Sequence, residues 1–272
     1  MPASQSEIRE QFSQLEGRVS NLARKPTPEN VHGFRTSSRR VEALLRELTA
    51  KRCSNDKKLL KRLSRLRKKA GKVRDIDAQL AALRSLNFPQ EASRKARLAH
   101  TLSDARTRAR KRLQKDLDKK SINEIRQRTK RASKQFRLGP DVSPLTVAKR
   151  MMNALGASNP NDEQMLHHYR IVGKRARYVA ELAKDEPEAK LLLEQLKRMQ
   201  DRIGDWHDWL QLQTRAQKLF GGPSDSALVA ALRNITRAKY RLAVEGINLA
   251  RPVWADRKKP EAARQLSGAV AA

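Results

Sequence analysis

The chain has 272 residues, enough for one large domain or two small ones with a buried core. Lys and Arg total 60 against 29 Asp and Glu, a formal net charge of +31, which points to a polyanionic partner and away from an ordinary mixed-charge surface. The single cysteine, Cys53, excludes an intrachain disulfide and a cysteine-rich metal site, and no stretch approaches the ~20 apolar residues that span a bilayer.

The start, Met1 to Gln11, is polar and carries no apolar signal-peptide core, so a soluble, cytoplasmic protein is expected. Ile8, Phe12, Leu15, Val19 and Leu22 recur at helical spacing and mark a first helix that ends near Pro26. Thr27 before Pro28 reads as an N-cap with proline at the first helical position. The second helix then presents Val31, Phe34, Val41, Leu45 and Leu48 on one face, and a third carries Leu59 through Leu83 towards Pro89. A fourth runs from about Glu91 towards Phe136, with a candidate break near Ser121. Gly139, Pro140 and Pro144, then Gly156 to Pro160, punctuate the middle before helical spacing resumes over about 145–155, 163–184, 188–220 and 225–250. The reading is all-α: a first four-helix half over 1–140, a second over 141–250, and a C-terminal tail over 251–272, in which Trp254 is a candidate for packing.

The two halves resemble each other. Val31-His32-Gly33-Phe34-Arg35 is matched by Leu166-His167-His168-Tyr169-Arg170, and Arg39-Arg40 by Lys174-Arg175, at a constant offset of 135. Leu63, Leu66, Gly71 and Asp75 correspond to Leu196, Met199, Gly204 and Asp208 at an offset of 133. Two blocks in the same order suggest a duplicated helical unit. On a helical wheel His32, Arg35, Arg39 and Arg46 fall within a sector of about 60°, turned away from the apolar face. His167, Arg170, Lys174 and Arg177 form the second stripe. A solvated face would more often pair Glu with Lys four residues on, whereas these stripes are nearly pure positive. Arg forks hold phosphate oxygens in pairs and Lys acts as a mobile point charge. His32 and His167 sit in the first turn of their helices, where imidazole donates to phosphate or serves as a cap.

These blocks resemble the CHAD family, the conserved histidine α-helical domain. The resemblance rests on Val31–Arg35 with Arg39-Arg40, Gly71-Lys72-Val73-Arg74-Asp75-Ile76-Asp77, Leu166–Arg170 with Lys174–Tyr178, and Gly204-Asp205-Trp206-His207-Asp208. It covers roughly residues 7–250. It implies two four-helix bundles related by pseudo-two-fold symmetry around a basic central cleft or pore, binding of inorganic polyphosphate, and association with polyphosphate granules. By position it implicates His32, Arg35, Arg39, Arg40, His167, Arg170, Lys174, Arg175 and Arg177, to which the charge stripe adds Arg46. Arg40 and Arg175 lie about 80–100° off the stripes. Where the first half has Arg74 the second has His207, so this position is not symmetric. The β-tunnel catalytic domain that accompanies the family elsewhere is absent from this sequence.

Enzyme readings have less support. Asp75, Asp77, Asp201, Asp205 and Asp208 resemble metal carboxylates, but each lies beside a cation and reads better as a salt-bridge partner. His207-Asp208 alone is thin support for a metal-dependent phosphohydrolase. No phosphate-binding glycine loop and no nucleophilic triad is visible. Nucleic acid is the stronger alternative, its backbone being a phosphate polymer too. Single strands usually require stacking aromatics, however, and Phe12, Phe34 and Tyr169 sit at core spacing. The expectation is non-catalytic capture of polyphosphate, with no cofactor and no metal.

Overall fold

A computed structural model describes residues 5–139, 142–155 and 162–255. Within them the chain forms nine α-helices and no β-strand, with one isolated antiparallel bridge between Thr49 and Leu138. In order these are α1 (Gln5–Arg24), α2 (Pro28–Ala43), α3 (Ser54–Ser85), α4 (Ala92–Gln114), α5 (Lys119–Gln135), α6 (Pro144–Asn153), α7 (Glu163–Ala180), α8 (Pro187–Phe220) and α9 (Ala227–Ala250). A π-helical turn, Leu44–Leu48, extends α2.

Helix starts follow local chemistry. The Thr27 hydroxyl accepts the Asn30 N–H at 3.2 Å, Asp162 caps α7 through the Met165 N–H, and Ser226 caps α9 through the Val229 N–H. The span 1–140 holds five helices where four are expected from the sequence, because the chain turns between α4 and α5. Leu113 and Ile122 are both buried. Nine residues apart, they would point to opposite sides of one continuous helix. The turn buries both, and Asp118, three residues before Ser121, caps the new helix by accepting the Ser121 N–H at 2.9 Å.

α3 and α8, of 32 and 34 residues, are each about 50 Å long and serve as the spines. α2, α4 and α5 pack on α3, with α1 closing over α2 and α5; α6 packs on α7, and α7 and α9 pack on α8. The two groups meet where α2 touches α7 and α3 touches α8. The apolar faces read from periodicity are the core: Phe12, Phe34, Val41, Leu45, Tyr169, Ala176 and Val179 are fully buried. Trp206 and Trp254 are also buried. Beyond Ala255 the expected tail lies outside the described residues. Among the described residues, no helix is long and apolar enough to cross a membrane.

Candidate functional site

The contact between α2 and α7 encloses a cavity of about 620 Å³. Burying Phe34 and Val41 on one face of α2 leaves His32, Arg35, Arg39 and Arg40 on the cavity side. Burying Tyr169, Val172 and Ala176 on α7 likewise leaves Arg170, Lys174 and Arg177 there. α3 adds Arg74, and α8 adds Asp201, Asp205 and Asp208 with Gln200 and Gly204. Seven Arg or Lys side chains thus face three carboxylates, two of which are engaged with cations: Asp208 with Arg74 at 2.9 Å and Asp205 with Lys239 at 2.7 Å.

Arg35 is threaded between α2 and α3. Its guanidinium donates to the Arg67 carbonyl at 3.4 Å and lies 4.0 Å from Asp75. Only glycine admits it: a Cβ on Gly71 would sit 2.3 Å from Arg35 Nη1. Burial pushes the Arg35 group down to about 10, with Asp75 opposing the shift. Burial also lowers Arg170, with Asp208 and Asp75 opposing. Lys174 differs from both. Burial and the like charges of Arg170, Arg39, Arg35 and Arg74 bring its ammonium down to about 7. The Tyr178 ring lies 5.8 Å from the Arg40 guanidinium carbon and 5.3 Å from that of Arg177, within cation–π range.

The remaining sequence candidates fall in different places. His32 lines the cavity, and burial followed by the positive charge of Arg74 lowers its pKa. His167 is exposed and is not among the lining residues; its ring centroid is 6.2 Å from that of His207. Its pKa is lowered too, by partial desolvation of the ring first and then by Arg170. His207, pushed down to about 4 by burial and then Arg170, is neutral at pH 7. Arg175 turns away from the cavity to Glu47 at 3.2 Å, while Arg40 lines the cavity and reaches Glu181 at 2.7 Å. Both pairs join the two helix groups. Arg46 leaves the stripe: it lies in the π-helical turn, whose wider winding breaks the 100° step, and it pairs with Glu42 at 3.1 Å beside a separate groove.

Arg74 and Tyr178 line the cavity without having been chosen from the sequence. Arg74 was visible in the Gly71–Asp77 block, but its α3 position gains meaning only when α3 crosses α8. Four of the five aspartates considered as metal ligands are engaged with a cation: Asp75 with Arg35, Asp77 with Arg106, Asp205 with Lys239 and Asp208 with Arg74.

Among the described residues the architecture is that of an all-helical domain with a cation-lined cavity between two helix groups. The chain is a member of the CHAD domain family, whose model matches residues 6–217. Two solved structures share the fold. PptA from Streptomyces chartreusis superposes with a TM-score of 0.65 at 18% identity, covering 91% of this chain and 96% of that one. The CHAD domain from the plant Ricinus communis gives 0.64 at 16% identity, covering 93% and 92%. Comparison with curated proteins gives no match.

Proposed function

We propose that this protein binds inorganic polyphosphate non-catalytically, in the cavity between α2, α3, α7 and α8, and associates through it with polyphosphate granules in the cytoplasm. The observation that carries the reading is the convergence of seven Arg or Lys side chains from three helices on one cavity. Four of them have carboxylate partners, Arg35 with Asp75, Arg40 and Arg177 with Glu181, and Arg74 with Asp208; the remaining like charges on Arg39, Arg170 and Lys174 repel one another unless an anion neutralises them. Polyphosphate is the anion that family membership implies, and a flexible chain of phosphates suits a cleft lined by guanidinium forks. Two neighbouring phosphates can be taken by Arg39 and Arg170 while Lys174 supplies a point charge between them. The carbon-free backbone needs no aromatic platform, and Trp206 and Tyr169 are committed to the core.

We further propose that the two helix groups are the halves of a duplication. Two sets of contacts support this. Arg67 donates to the Ser38 hydroxyl at 3.0 Å, and at matching offsets Gln200 donates to the Gly173 carbonyl at 2.9 Å. Arg40 and Arg175, equivalent in the repeat, each reach a glutamate of the opposite group.

The test is competition at physiological salt between long-chain polyphosphate, duplex DNA and single-stranded RNA. Polyphosphate is expected to win, and Arg39→Ala, Arg170→Ala and Lys174→Ala together should weaken it far more than removing four exposed lysines of α5 and its flanks. A nucleic-acid preference, or equal losses from both sets, overturns the reading. Phosphate release on incubation with divalent metals would make the protein a hydrolase instead. A fluorescent fusion that fails to collect on granules removes the granule role.

A further inference from the structure

Outside the cavity, another part of the surface gathers cations in a concave place. It is an open groove of about 560 Å³ between the start of α3 and the π-helical turn, lined by Arg46, Arg52, Lys57, Lys61, Arg65 and Lys68 over Leu60 and Ser64. Among the described residues its lining holds no Asp or Glu. The row on α3 follows from helical spacing: Leu59, Leu63 and Leu66 are drawn into the core, which turns Lys57, Lys61, Arg65 and Lys68 outward along one side. Lys57 and Lys68 are eleven residues apart, about 16 Å along the axis.

The groove adjoins the cavity electrostatically. Arg67 stands between them, its side chain bound to Glu42 at 2.6 Å, and the charges that depress its pKa, after burial, are Arg39 of the cavity and Arg46 of the groove. Glu42 also holds Arg46 at 3.1 Å. Arg67 and Glu42 thus lie beside a cation of the groove, and Arg67 also feels a cation of the cavity. Nearby carboxylates occupy only part of this charge: Asp116 takes Arg65 at 3.5 Å, while Arg52, Lys57, Lys61 and Lys68 are exposed.

We infer that this groove is a second binding site for the same polymer, an outer track that takes the length of polyphosphate that the cavity cannot hold. The inference rests on the polyphosphate reading of the cavity. The groove supplies point charges without the enclosed arginine forks of the cavity, so it adds affinity in proportion to the phosphates it neutralises and releases counterions as it does so. Short chains end before reaching it.

The experiment compares tripolyphosphate with long-chain polyphosphate on the full chain carrying Lys57→Glu, Lys61→Glu and Lys68→Glu, with circular dichroism to confirm the helical fold. Tripolyphosphate affinity should stay within about two-fold. Long-chain affinity should fall about ten-fold or more, and its logarithmic salt dependence should become shallower by about three. A control carrying Arg126→Glu, Lys130→Glu and Arg131→Glu on α5 should leave long-chain binding nearly intact. Equal loss in the control, or equal loss for short and long chains, overturns the outer track while leaving the cavity reading in place. Cavity substitutions that leave tripolyphosphate binding unchanged overturn the cavity reading by itself. Absence of binding by the unaltered chain overturns both.

Discussion

Lys174 carries an unusual load among the cavity residues. With an ammonium at about 7 instead of 10.5, it is about half charged at neutral pH and surrounded by Arg35, Arg39, Arg74 and Arg170. Between these two values the unfolded chain holds more protons than the folded one, so the stability of the unbound protein should rise with pH across about 7 to 10.5. Binding runs the other way. Polyphosphate favours the charged ammonium, so affinity should fall as pH rises above about 7, with proton uptake on binding. Calorimetry in buffers of different ionisation enthalpy measures that uptake, and Lys174→Met should remove most of it. Gly71 and Gly204 offer a second contrast. They correspond in the repeat, yet Gly71 is filled by Arg35 while Gly204 has open space beside it. Gly204→Ala should be neutral or stabilise by up to about 1 kcal/mol through helix propensity. Gly71→Ala should displace the Arg35 guanidinium and weaken polyphosphate binding several-fold, as titration of the two variants would reveal.

Each helix is held by a buried face, and that face was legible in the sequence wherever winding stayed regular. Phe34 is fully enclosed, so Phe34→Ala should cost about 3–5 kcal/mol in urea unfolding. Thr27→Ala, which removes only the cap of the same helix, should cost about 1 kcal/mol. The same periodicity set the cavity stripes of α2 and α7, because placing Phe34 and Tyr169 inward also directs Arg39 and Lys174 away from their own cores. It failed at Arg46, since five residues of π winding between Leu44 and Leu48 are invisible to a 100° rule. It also failed at Arg74. The contribution of that residue depends on how α3 crosses α8, a tertiary relation that no window of sequence contains. The break before α5 lies ahead of Ser121, where Asp118 has the chemistry of a cap.

At the scale of the whole molecule, the excess of cations sets how the unbound protein responds to its medium. Cavity repulsion is screened by salt, so the melting temperature of the unbound chain should rise as sodium chloride is added. Tripolyphosphate should raise it further, at concentrations too low to change ionic strength, because a ligand held only by the folded state adds to its stability. Differential scanning calorimetry distinguishes these two increments. The pairs of Arg40 with Glu181 and Arg175 with Glu47 give this behaviour a mechanical side. Attraction at these clasps opposes the repulsion among the cavity cations. Loosening either clasp should make the spacing of the groups, and not only the affinity, respond to added polyphosphate.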